Sequence, residues 1–108
     1  MNDIIDIKPL ENFNFDNLEK LDLSGNKNLN DIQRFEKIKL KKIKEINLGN
    51  TDISDIKSLR KLRLEKLNIS RTKISDIKIL EDENFKYLKE LIFQELITFI
   101  QHYMINIF

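Results

Sequence analysis

The chain lacks cysteine and tryptophan, and its 108 residues include one proline, one histidine and two glycines. Without cysteine there is no disulfide staple, no thiolate zinc site and no cysteine nucleophile. A serine–histidine hydrolytic pair would have to rest on His102 alone, for which a solvated side chain is the default. Two isolated glycines, Gly25 and Gly49, build no phosphate-cradling loop of the Walker or dinucleotide type. Neither charge sign is in excess. Nineteen basic residues against 18 acidic ones leave a formal net charge of +1, whereas a nucleic-acid surface needs clustered positive charge to release phosphate counterions. No run reaches the roughly 18 apolar residues of a membrane span. The nearest, 91–108, is interrupted by Gln94, Glu95, Gln101, His102 and Asn106. The first ten residues, MNDIIDIKPL, carry Asp3 and Asp6 and have no signal-peptide core. If Met1 is the native start, a cytoplasmic location is expected; if the chain is a trimmed segment, an extracellular one stays open.

Repetition is what the chain has in abundance. IKEINLGNTDISDI at 43–56 returns as LEKLNISRTKISDI at 64–77 and, earlier, as LEKLDLSGNKNLNDI at 18–32. In register, the copies read L-x-x-L-x-L-x-x-N/T and close on I-x-D-I. The first copy carries one extra residue between Lys27 and Leu29, read as a turn insertion. A fourth copy opens as LKELIF at 88–93. Starts at 18, 43, 64 and 88 give periods of 25, 21 and 24 residues. IIDIKPL at 4–10 matches ISDIKSL at 53–59 and ISDIKIL at 74–80, so residues 1–17 are half a repeat.

Alternation in L-x-L is strand-like and puts both leucines on one face. Asn26, Thr51 and Thr72 stand where the chain must bend, and their side chains suit backbone groups that the bend leaves unpaired. The I-x-D-I close spaces two apolar anchors for a 3-10 or helical turn, which Ser54 or Ser75 is expected to cap. Asp31, Asp55 and Asp76 recur at one phase, which reads as turn chemistry and not as a paired acid and base. One copy cannot bury its own apolar edge; stacked copies bury it jointly.

A pattern of this kind at periods of 20–29 resembles the leucine-rich repeat family. Over residues 4–93 it looks most like the short internalin-like or phosphatase-regulator-like subclass. That resemblance implies an α/β solenoid, with a short parallel sheet on the concave face and 3-10 turns or short helices on the convex side. The repeats occupy 1–95. Residues 96–108 space Leu96, Ile97, Phe99, Ile100, Tyr103, Met104, Ile107 and Phe108 three and four apart, as in a capping helix, with a degenerate tail as the alternative.

The resemblance also implies a non-enzymatic protein–protein interaction module without a cofactor. The competing reading is a truncated or degenerate solenoid that self-associates through apolar residues in 91–108. No metal ligand set is expected, and Glu81, Asp82 and Glu83 read as a solvated connector. The segment KIKLKKIK at 37–44 owes Ile38, Leu40 and Ile43 to the core, leaving its lysines as a solvated side. Residues between the inward leucines point outward. The expected partner surface is therefore Lys20, Asp22 and Ser24, then Glu45 and Asn47 with Gly49, then Lys66, Asn68 and Ser70, then Glu90, Ile92 and Gln94. Its first column runs Lys, Glu, Lys, Glu, for which mutual pairing is a structural reason. No aromatic or arginine anchor stands on it.

Overall fold

A computed structural model describes residues 8–75, 77–94 and 96–99. Four short strands, β1 (Lys20–Asp22), β2 (Glu45–Asn47), β3 (Lys66–Asn68) and β4 (Glu90–Phe93), form the repeated part of one sheet. They stack in chain order, all parallel, and each pairs with the next at the same repeat position. Leu21 faces Ile46, Ile46 faces Leu67, and Leu67 faces Leu91. Parallel neighbours need a crossover between them, and each repeat supplies one. On the convex side the crossovers carry 3-10 turns η1 (Lys8–Asn12), η2 (Gln33–Lys37), η3 (Lys57–Leu59), η4 (Lys78–Glu81) and η5 (Glu83–Phe85). Of the turns or short helices expected there, 3-10 turns are what the described residues contain.

The L-x-L leucines and the I-x-D-I isoleucines meet in a single core. Leu23, Leu48, Ile69 and Phe93 from the strand side, with Leu29, Ile53 and Ile74 from the bend, are buried. Ile32, Ile56 and Ile77 lead into the 3-10 turns and are buried as well. Leu40 and Phe85 fill the convex side as expected; Phe15 and Leu62, in matching places, are half-buried. Phe35 is fully buried inside η2. It occupies the slot that Leu10, Leu59 and Leu80 hold in K-x-L, a correspondence hidden by the change to Q-R-F.

The bend after each strand is built identically three times. Gly25, Asn50 and Arg71 adopt left-handed backbone, with φ of 79°, 58° and 54°. One residue later, Asn26 Nδ2 donates to the Leu23 carbonyl at 2.7 Å, Thr51 Oγ1 to Leu48 at 2.7 Å, and Thr72 Oγ1 to Ile69 at 2.8 Å. The extra residue of the first copy is absorbed in an exposed turn closed by the Leu29 N–H on the Asn26 carbonyl. Leu29 thereby regains its repeat position, and its carbonyl accepts from Asp52 N–H at 2.8 Å.

Two expectations are corrected. Aspartate, not serine, holds the start of the convex turns. Gln33 N–H donates to Asp31 Oδ1 at 2.9 Å and Lys57 N–H to Asp55 Oδ1 at 2.8 Å, while Ser54 and Ser75 stay exposed. A carboxylate oxygen two residues back closes a tighter ring on the N–H than the serine at three. Asp76 lies outside the described residues. Secondly, Leu96–Phe99 is a strand, β5, antiparallel to β4, where a capping helix is the expectation. Its left-handed residue is Gln94, φ 51°, one position earlier than in the three complete bends. Turning there, the chain folds back on itself as a hairpin with Phe93 opposite Leu96. Leu96 replaces the Asn or Thr, so no side chain is left to hold the ordinary bend, and Ile97, Thr98 and Phe99 favour strand. Residues 100–108 and 1–7 lie outside the described residues.

Candidate functional site

Strand alternation brings the outward residues named from the sequence onto the concave face in register, with the exception of Gln94. Lys20, Glu45, Lys66 and Glu90 form one row across the four parallel strands, and Asp22, Asn47, Asn68 and Ile92 form the next. A shallow groove follows these two rows across the strands, with half-buried Leu21 and Ile92 toward its ends and Ile46 and Leu67 buried beneath it. Ser24, Gly49 and Ser70 make a third row. Gln94 leaves it, because it sits in the left-handed turn of the hairpin.

Charge in the first row is internally balanced. Lys66 Nζ lies 3.8 Å from Glu45 Oε1 and 3.3 Å from Glu90 Oε2, and Lys20 Nζ reaches Glu45 at 4.0 Å. The lysines remain largely exposed, so each pair stabilises the sheet by no more than about 1 kcal/mol. A second balanced row, missed in the sequence because it precedes the L-x-L core, runs in opposite phase through Glu19, Lys44, Glu65 and Lys89. Successive members are tied by backbone bonds of 2.8 Å, and Lys89 Nζ lies 3.7 Å from Glu65 Oε1. Together the dipeptides read Glu-Lys, Lys-Glu, Glu-Lys, Lys-Glu, a checkerboard in which every charge has opposite neighbours.

The second row is partly spent on the fold. Asp22 Oδ1 accepts from Ser24 N–H, Asn47 Oδ1 from Gly49 N–H, and Asn68 Oδ1 from Ser70 N–H, each at 2.9 Å. Ser70 Oγ adds a bond of 2.7 Å to Asn68 Oδ1. These turns fix the two carboxamides with oxygen toward the bend and the NH₂ toward the open groove. Among the described residues neither Nδ2 has a hydrogen-bond partner. The third row has no room for more. A Cβ on Gly49 would sit 3.2 Å from Asn47 Oδ1, Asn68 Oδ1 and Ser70 Oγ, which explains the glycine between two serines.

Other chemistry-bearing residues resolve into scaffold. Asp82 caps η5, its Oδ1 accepting from Asn84 N–H at 2.9 Å and Asn84 Nδ2 at 2.7 Å. Those bonds, with Arg60 nearby, hold its carboxyl below the usual aspartate value of 3.8. Lysines 39, 41, 42 and 44 are exposed around buried Ile38, Leu40 and Ile43. Leu91 and Phe93, from the apolar 91–108 segment, are core residues. On the convex side, Ser58 Oγ is buried among the turns and has no hydrogen-bond partner among the described residues. His102 lies outside the described residues.

A family model described as Leucine Rich Repeat matches residues 17–37. Those residues span β1, its bend and the Asp31-capped turn, one complete unit of the stack. No curated protein matches the chain.

Proposed function

Since the chain is a leucine-rich repeat protein, we propose that it holds an extended segment of another polypeptide along its concave sheet, without performing chemistry on it. Domains built on this repeat generally mediate protein–protein contact and are generally not enzymes. The observation that carries the reading is the pair of unengaged amide NH₂ groups on Asn47 and Asn68. They lie in register on adjacent strands, roughly 4.8 Å apart at the middle of the face. Donors so placed suit the carbonyls of an extended backbone, and the neighbouring Glu45–Lys66–Glu90 row offers both signs of charge to its side chains. Half-buried Leu21 and Ile92 offer it apolar contact toward the two ends of the groove. With no aromatic or arginine anchor in the groove, a modest affinity is expected.

The test pans a library of linear peptides against the full-length protein and follows an enriched peptide by two-dimensional NMR. The side-chain NH₂ resonances of Asn47 and Asn68 are expected to shift. Asn47→Asp with Asn68→Asp keeps the acceptor that each bend needs and removes the donor. Peptide binding is expected to weaken by about tenfold or more, with the fold intact. Shifts confined to the convex turns, or binding indifferent to both substitutions, would sink the reading.

A further inference from the structure

Among the described residues, a fifth strand covers one end of the sheet and no strand covers the other. β5 covers β4, but β1 has a single neighbour in the sheet among the described residues. The core thins on the same side. Leu21 and Leu18 are only half-buried, whereas Ile46, Leu67 and Leu91, and Ile43, Leu64 and Leu88, are buried. Phe15 is half-buried where Phe85 is buried, and Phe13 beside it is 63% exposed.

The hydrogen-bond direction of β1 is fixed by its one pairing. Glu19 carbonyl accepts from Glu45 N–H at 3.0 Å, and Leu23 N–H donates to Asn47 carbonyl at 2.9 Å. Odd-numbered residues thus serve β2, and Lys20 and Asp22 aim their N–H and C=O groups at the open side. Short edge strands bearing lysine usually repel a second strand. Here the lysine is followed, two residues on and on the same face, by an aspartate.

We propose that β1 pairs with β1 of a second copy of this chain, antiparallel, about a twofold axis at Leu21. In that register Lys20 of one copy stands opposite Asp22 of the other, twice. Both are residues whose backbone groups face outward, so each pair exchanges two N–H···O=C bonds. The axis puts Leu21 against its own copy, at the close spacing of a non-hydrogen-bonded pair. Moving the axis to Lys20 or Asp22 sets like charges face to face. Asp22 keeps one carboxylate oxygen for the partner, since its turn uses Oδ1, and Lys20 is held by Glu45 only at 4.0 Å. Pairing would draw the half-exposed Leu18 and Leu21 of both copies toward one seam, and the two concave sheets would run on as one. The dimer stands independently of what the groove holds.

Sedimentation of the full chain over a concentration series tests it. Wild type is expected to show a monomer–dimer equilibrium. Lys20→Asp and Asp22→Lys are each expected to weaken it about tenfold or more, since each replaces two attractive pairs by two repulsive ones. The double variant, with the charges exchanged, is expected to dimerise again. So is an equimolar mixture of the two single variants, whose edges are complementary to each other; recovery there also shows that both are folded. A wild-type chain monomeric at every concentration overturns the proposal and leaves the edge to a different strand. A dimer equally strong in both single variants overturns it too.

Discussion

At the scale of the residue, the repeat is held by a few positions with narrow requirements. Asn50 takes left-handed backbone, which glycine and asparagine tolerate and other residues adopt at a cost. Asn50→Ala is expected to lower the unfolding free energy by about 1 kcal/mol, and Asn50→Gly to leave it nearly unchanged. Urea titration of both variants checks this; equal losses would mean that Asn50 acts through its side chain. Such positions were only partly legible in the sequence. Gly25 and Asn50 are residue types that mark a bend, but Arg71 at the same place with φ 54° carries no such signal. Asp31 and Asp55 were legible as recurring turn residues. Their role as caps, in place of serine, depends on whether a carboxylate reaches the N–H two residues on.

At the scale of the element, the strands are three or four residues long and no pair of them is stable alone. They persist because each bend is tied back to its strand. Thr51 Oγ1 and the Leu48 carbonyl are both inside the molecule, so Thr51→Val keeps the shape and strands a buried acceptor. The expected loss is about 1–2 kcal/mol, read from thermal or urea unfolding. Thr72→Val, at a half-exposed copy of the same bond, is expected to lose less. Reversal of that order would show that the ladder bond is not what the threonines contribute. The last repeat shows what happens without the tie. Leu96 offers no oxygen or amide, the left-handed residue comes one position early, and a hairpin strand replaces the convex crossover.

For the whole molecule, stability is a sum of neighbouring layers, so the same deletion should cost differently along the stack. Leu67 is enclosed by Ile46 and Leu91, while half-buried Leu21 has a strand on one side only among the described residues. Leu67→Ala is expected to cost about 2–5 kcal/mol, and Leu21→Ala distinctly less. Chemical denaturation of both at a concentration where the chain is monomeric makes the comparison. Equal costs would mean that the open end is as tightly covered as the middle. The charge checkerboard also acts at this scale. Its alternate phase from copy to copy makes each repeat complementary to its neighbours and unlike itself, which disfavours a slip by one repeat.

Read without coordinates, the chain determined its layers and its register. L-x-x-L-x-L at a near-constant period has one way to bury all its leucines, by stacking parallel strands at equal repeat positions. The outward rows follow from strand alternation, so the concave face was legible down to Lys20, Glu45, Lys66 and Glu90. Tertiary structure decided what a local pattern could not. Spacings of three and four in 96–108 suit a helix, yet at 96–99 the edge of β4 is within reach, and hydrogen bonds to an existing strand outweigh a weak helical preference. The second charge row and, among the described residues, the two unengaged carboxamide donors and the unpaired edge of β1 belong to the same class. Each depends on which groups a neighbouring layer has already satisfied, and only the folded stack supplies that count.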